Sequence, residues 1–399
     1  MNVRNDCNTP SAAAFHHLNP APRGKGAKLP SPSERRVGDE GLALFRWYPT
    51  ARFSMKKAVP LSALTSYVLL LVLTAMLSLA SLSMGAGSVG WTESVDWLLG
   101  GMHSIDAQVD LVLGELRLPR VLKALALGAA LGAAGVLLQA VTRNPLAETG
   151  LLGVNSGAAL AVALGIALAG GLTPGPQIGW ALGGALTGSA FALMLAHAGG
   201  GQASPQRLVL AGLAIGATCQ SLTAWLSLAS SANLDQFRFW LLGSLTHPHA
   251  GLLVPGLALI GIGLTLAVLL IRPLSALTLG DDLARALGHR PGPIRALTVT
   301  SVALLAGTAV ALAGPIAFLG LIAPYCARAL AGITIGAQLA FAIPLGAALL
   351  LLADLAARLI VAPYEAPMSA VLALIGAPLL IWIVHRDATL ALSRTGAEC

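Results

Sequence analysis

Ten blocks of apolar residues, at about 61–84, 120–141, 152–171, 178–200, 207–229, 251–271, 295–313, 316–331, 337–360 and 367–384, alternate with short polar stretches along the chain. Most of them reach or approach the roughly 20 residues that an α-helix needs to cross a bilayer. The pattern predicts an all-α membrane protein with about ten transmembrane helices, the eighth block being the shortest. Glycines recur within the blocks at small-xxx-small spacing, as at Gly128, Gly132 and Gly135 and again at Gly184 and Gly188. Such spacing lets helix backbones approach closely where no hydrophobic effect drives association.

The stretches between blocks set an orientation. With the N-terminus inside, the cytoplasmic loops hold Arg143, Arg207, Arg272, Arg285, Arg290 and Arg328, and the tail holds Arg386 and Arg394. The first outward loop, 85–119, instead carries Glu93, Asp96, Asp106, Asp110 and Glu115. Positive charge retained on the cytoplasmic side predicts that both termini are cytoplasmic. Three arginines oppose the rule: Arg117 and Arg120 at the outer start of the second span, and Arg358 near the outer end of the ninth. Snorkelling with a local ion pair, such as Asp354 with Arg358 at i,i+4, is one account of them; a retained function is the other.

Composition agrees with the pattern. Charged residues are 10% of the chain and hydrophobic residues 56%, against roughly 25% charged in a soluble domain. Of the net charge of +7, residues 1–58 contribute +6. A basic, Pro-rich flank ahead of the first span reads as cytoplasmic, and no folded basic surface follows it, so nucleic-acid binding is not expected. Met55, Lys56 and Lys57 lead directly into the first apolar block. Residues 1–54 therefore read as a disordered extension or the product of an early start codon, with 55–390 as the membrane domain and 391–399 as a cytoplasmic tail. The long apolar stretch after Lys57 argues against a cleavable signal. Cys7, Cys219, Cys326 and Cys399 are scattered, without the spacing of a disulfide framework or a zinc site.

Three stretches go beyond hydropathy. The first is RLPR at 117–120, a Gly-rich span ending in Gln139, then RNPLA at 143–147 and LLGVNSGAA at 151–159. Irregular backbone at membrane depth is tolerated only where protein or a water-filled path surrounds it. Asn144, Asn155 and Ser156 can bond the freed peptide groups, with plain helix capping as the simpler reading. The second is LSALTLGDDLARALGHRP at 274–291, where apolar and charged residues mix in the longest cytoplasmic loop. Asp281 and Asp282, after Gly280, favour the positive end of a new helix suited to docking a soluble partner, or to lying at the interface. The third is GPIAFLGLIAPYCARALAG at 314–332, with Pro315, Gly320 and Pro324 expected to break the eighth span into short pieces, as in the discontinuous helices of transporters. ADLAARL at 353–359, EAP at 365–367 and LIGAPLLIW at 374–382 follow.

From about 60 to 386 these motifs resemble, in order and spacing, the iron-siderophore, haem and vitamin B12 permeases of type II ABC importers. The resemblance implies ten spans per subunit and a dimer, of like or unlike subunits, with a path along its axis. Two cytoplasmic ATPase subunits would dock beneath, and a periplasmic substrate-binding protein would deliver the chelate from above. It further implies that Arg117, Arg120 and Arg358 receive glutamates of that binding protein. Leu279, Gly280, Asp281, Asp282, Ala284, Leu287 and Gly288 would form the segment coupled to the ATPase. Asn144, Pro145, Asn155 and Ser156 would border the path, and Ser204, Pro205 and Gln206 its cytoplasmic gate. No cofactor or metal is implied, and no catalytic residue, since ATP hydrolysis belongs to the partner; accordingly the chain has no GxxxxGK[ST].

The chain departs from the family at Tyr325, where His is usual, at Pro367, Met368 and Ser369, and at the neutral stretch 332–340. Ferric siderophore is the expected cargo in the inner membrane, with haem or cobalamin as alternatives. Two other classes have less in their favour. An ion-coupled transporter needs acids buried within spans, and Asp354 alone qualifies. A metalloenzyme built on His247 and His249 lacks a third ligand nearby.

Overall fold

The computed structural model describes residues 63–85, 89–102, 106–198, 204–228, 231–245, 250–360 and 366–395. The expected extension 1–54, the alternative start at Met55, and His247 and His249 lie outside the described residues.

All regular structure among the described residues is helical. The helices are α1 (Ala63–Ser83), α2 (Trp91–Leu99), α3 (Ala107–Asp110), α4 (Leu118–Thr142), α5 (Val154–Ala169), α6 (Pro174–Ala198), α7 (Pro205–Leu228) and α8 (Ser231–Leu242). They continue as α9 (Ala250–Leu269), α10 (Ile271–Thr278), α11 (Asp281–Ala286), α12 (Pro291–Ala313), α13 (Leu319–Ala331), α14 (Ile335–Ile360) and α15 (Met368–Thr395). A π-helical stretch, Leu111–Arg117, joins α3 to α4. Among the described residues, seven helices are long and apolar enough to cross a membrane, and three shorter apolar ones fall at 154–169, 319–331 and 368–381.

Helix α4 is the inner post of the bundle, with α14, α12, α13 and α9 packed around it. Its glycines make this closeness possible. A methyl group at Gly128 would lie 2.4 Å from the Gly346 carbonyl oxygen of α14, a distance no carbon tolerates. The pairing of α5 with α6 uses the same device: a methyl at Gly157 would lie 2.3 Å from the Gly184 carbonyl. Leu127, Leu131, Leu137 and Leu138 fill the remaining space and are fully buried. The exterior is apolar as well, with Leu69, Leu73, Phe191, Leu210, Trp225 and Val254 exposed. An apolar outside around an apolar inside is the pattern of a helix bundle whose solvent is lipid.

Two expectations are corrected here. The stretches read as outward loops contain helices α2, α3 and α8. Around α2 and α3, a small apolar cluster of Leu82, Val89, Trp97, Val109 and Leu113 forms, and Trp97 Nε1 donates to Asp110 Oδ1 at 2.7 Å. The eighth span is not broken at Pro324. It is short because 314–318 is not helical, with Gly314 at φ 79° and Phe318 at φ 65°. Beyond Phe318, α13 runs through Pro324 without interruption. Proline supplies no N–H for the carbonyl four residues back, here that of Gly320. That carbonyl lies against Gly135, where the lack of a side chain leaves room for it.

Candidate functional site

The residues singled out by sequence collect in two regions. The first joins the start of α4 to the ends of α1 and α14. The π-helical stretch delivers Arg117 into a cup of backbone: its Nη1 donates to the carbonyls of Leu82 (2.8 Å), Ser83 (3.0 Å) and Val89 (3.2 Å). Three residues on, Arg120 grips Asp354 of α14, with Nε and Nη2 donating to Oδ1 at 2.9 and 2.8 Å. Asp354 is fully buried, and its Oδ2 also accepts from Arg358 Nη2 at 2.6 Å. Arg358 Nη1 donates in turn to the carbonyls of Ser81 (3.1 Å) and Met84 (2.8 Å).

The i,i+4 pair expected from sequence is therefore present, but it is half of a two-arginine clamp. Arg120 lies 234 residues from Asp354, and no local pattern announces that contact. The clamp fastens α4, α14 and α1 together. Lys123, one turn further along α4, is also buried.

The second region surrounds the other end of α4. Arg143 closes this helix in a left-handed conformation, φ 51°. Asn144 then folds the chain back, its Oδ1 accepting from the Leu146 N–H at 3.0 Å. Pro145 is exposed at the tip. A 3₁₀ turn, Thr149–Leu152, and the left-handed Gly153 lead into α5. Ser156 Oγ reaches the Gly153 carbonyl at a long 3.4 Å, while the buried Asn155 Oδ1 has no partner among the described residues. Ser204 Oγ accepts from the Arg207 N–H at 3.2 Å, so that it caps α7, with Pro205 and Gln206 in the first turn.

Sequence reasoning missed three contacts here. Glu148 accepts from the Phe318 N–H at 2.7 Å, at the entry to α13. Arg328 donates to Gln139 Oε1 at 2.6 Å. Arg295, wholly buried in α12, donates to both oxygens of Asp281 at 2.7 and 2.8 Å. The first two join segments 170 and 189 residues apart, and the third ties α12 to α11 across 14 residues; hydropathy detects none of them.

The segment expected to dock a soluble partner lies at this second region. Gly280, at φ 124°, takes a conformation open to glycine and starts α11. Asp281 and Asp282 occupy its first turn. Ala284 is fully buried against the bundle. Leu279, Leu283 and Leu287 stand out at 61%, 47% and 58% exposure. Leu283 was not singled out beforehand, although its spacing of four from both neighbours was available. Asp282 pairs with Arg285 at 2.7 Å along the exposed side, and Gly288, at φ 83°, ends the segment. Among the described residues, no cluster of three His, Cys, Asp or Glu side chains could hold a metal.

Residues 69–386 match the model of the FecCD transport family. The chain is 42% identical to the ferric enterobactin transport system permease protein FepD of Escherichia coli, over 81% of this chain and 95% of that protein. It is 37% identical to the hemin transport system permease protein HmuU of Yersinia pestis, over 80% and 94%. A solved inward-facing chain of a metal-chelate type ABC transporter superimposes with a TM-score of 0.71 at 28% identity, covering 80% of this chain and 99% of that one. With four-fifths of its length matched by one model and a helix bundle of the same fold, this chain belongs to the FecCD transport family.

Proposed function

We propose that the chain is the membrane-spanning permease of an ABC importer carrying a ferric siderophore from periplasm to cytoplasm, powered by ATP hydrolysis on two partner subunits. The chain is a multi-pass inner-membrane transport subunit. The single observation that carries the cargo assignment is the similarity to a ferric enterobactin permease along nearly that protein's whole length. Haem and cobalamin are the alternatives, since permeases named for those cargoes are also similar to it. In the proposed topology the seven long and three shorter apolar helices give ten spans, with both termini in the cytoplasm. A second permease subunit, identical or not, completes the path.

The proposed roles follow the two regions. Leu279, Leu283 and Leu287 present apolar surface to the ATPase, as docking requires. Asn144, Pro145, Asn155 and Ser156, with Ser204, Pro205 and Gln206, border the path and its cytoplasmic gate. Arg117, Arg120 and Arg358 attract the acidic lobes of a periplasmic binding protein. Their side chains are turned inward, so a docking carboxylate either displaces the present acceptors or responds to the surplus of three cations over the single acid Asp354. Electrostatic complementarity of this kind favours fast, oriented and transient encounter.

An ion-coupled mechanism would need Asp354 available to a proton or sodium ion. Arg120 and Arg358 already engage that carboxylate, which weighs against it.

The test is reconstitution of the chain with its partner ATPase in liposomes. The measurement is ATP hydrolysis and uptake with the binding protein loaded with ferric enterobactin, haem or cobalamin. Stimulation by the ferric siderophore is expected. Stimulation by haem or cobalamin alone would reassign the cargo. Uptake driven by an ion gradient without ATP would remove the importer reading.

A further inference from the structure

We infer that Asp281 is a positioning residue, the joint by which α11 is fixed to both α4 and α12. Movement of the ATPase-facing leucines thereby reaches the turn after α4. The inference rests on the importer reading above and concerns how that surface is held.

Helix α11 has only six residues, Asp281–Ala286. A helix this short is not stable by itself, because nucleation costs more than so few backbone bonds return. Something must fix it to the bundle if a push on it is to travel further. Its apolar anchor is the fully buried Ala284, a single methyl group. Its exposed leucines point away from the bundle and give no internal hold.

The polar hold is concentrated on one carboxylate. Asp281 Oδ1 accepts from Arg143 Nη2 at 2.9 Å and from Arg295 Nη2 at 2.7 Å, and Oδ2 accepts from Arg295 at 2.8 Å. Arg143 also donates to the Leu277 carbonyl at the end of α10. One side chain thus gathers α10, α11, α4 and α12. Charge-assisted bonds are shorter and about twice as strong as neutral ones, and two of them converge on a single oxygen.

Both arginines stand where the tie matters. Arg143 is the left-handed residue that ends α4 and begins the Asn144–Pro145 turn, which borders the proposed path. Arg295 is wholly buried, and its Nε and Nη1 have no partner among the described residues. Its charge is therefore balanced through Nη2 by Asp281. A displacement of α11 that kept these bonds would have to carry the end of α4 and the start of α12 with it. One that broke them would leave a buried guanidinium without its acid, which is strongly unfavourable.

The experiment uses the complete permease–ATPase complex in lipid nanodiscs with its chelate-loaded binding protein. Two quantities are read: the ratio of stimulated to basal ATP hydrolysis, and, in liposomes, chelate delivered per ATP. Asp281→Asn removes the charge from the α11 side, and Arg143→Gln cuts the same joint from the α4 side without altering α11. Each is expected to lower both ratios by about tenfold, the size of a coupling between sites. Asp281→Glu, which keeps the charge, is expected to recover part of the loss. A purely structural role would lower basal and stimulated rates together and leave the ratios intact, and that result would overturn the joint. Loss of ATPase association in Asp281→Asn would also overturn it, because the residue would then belong to the docking contact. If either variant does not fold, the other decides. If the wild-type complex shows no stimulation, the importer reading falls and takes the joint with it. Stimulation equal in wild type and both variants removes the joint alone.

Discussion

Asp354 is fully buried between Arg120 and Arg358, so a single carboxylate compensates two guanidinium groups that reach it from α4 and from its own helix. Removing one partner of a buried pair leaves a charge with no solvent to receive it, at a cost of about 3–5 kcal/mol. Asp354→Asn should therefore lower the thermal unfolding midpoint in detergent clearly. Arg358→Gln should lower it less, because the bidentate contact of Arg120 survives. Equal midpoints for wild type and Asp354→Asn would show that the clamp is not a stabilising element. Asp281 makes a second prediction at this scale. Burial raises its carboxyl, but the hydrogen bonds and charges of Arg295 and Arg143 outweigh burial and hold it below the ordinary 3.8. A depressed native value means that the unfolded chain takes up the proton first as the pH falls. Its contribution is therefore complete above about pH 5 and is lost as the pH drops through the native value. A spin label at Leu287→Cys should show constant mobility from about pH 5 to 8 and greater mobility only as the pH falls below the ordinary 3.8 toward the depressed native value. Mobility that changes near neutrality would point to a different group.

At the scale of elements, glycine spacing decides which helices touch. Gly128 and Gly346 let α4 and α14 meet backbone to backbone, whereas Gly261 in α9 has no neighbouring atom within 4 Å of where a methyl would sit. Adding a side chain should consequently have opposite signs at the two places. Gly128→Val forces the helices apart and should cost at least the 1–3 kcal/mol typical of overpacking. Gly261→Ala reduces backbone freedom in the unfolded chain without a clash and should add about 0.4–1 kcal/mol. Unfolding in a denaturing detergent titration would compare them, and equal effects would refute the close approach. The sequence marked Gly128, Gly132 and Gly135 as a packing stripe, but spacing alone does not name the partner helix. The expected break at Pro324 failed for a related reason: whether a proline interrupts a helix depends on what receives the freed carbonyl. Here Gly135, on another helix, makes room for it.

At the scale of the whole molecule, the proposed orientation predicts two labelling results. A cysteine at Leu287, exposed beside α11, should react with a membrane-impermeant maleimide only after the membrane is opened. A cysteine at Leu99, exposed at the end of α2, should react in sealed spheroplasts. Reaction at both sites from the same side would refute the topology. Much of this level is legible in the chain. Apolar runs of bilayer length give the helices, because every span must satisfy its own backbone within lipid whatever lies beside it. The strings around Arg117, Asn144, Asp281 and Pro315 give the family, because backbone turns and short connecting helices are local and tied to particular residue types. The helices α2, α3 and α8 were not legible, because at 9, 4 and 12 residues none of them forms an apolar run of bilayer length. Nor were the pairings of Arg120 with Asp354, Arg328 with Gln139, Glu148 with Phe318 and Arg295 with Asp281. Buried charges and amides find partners through space, across as many as 234 residues in the first case, and hydropathy has no term for them. The amino-acid sequence by itself thus determined the long apolar helices and the family motifs. Only the tertiary structure decided which residues face one another, because burial removes water as a partner and leaves each polar group to the neighbours that packing supplies.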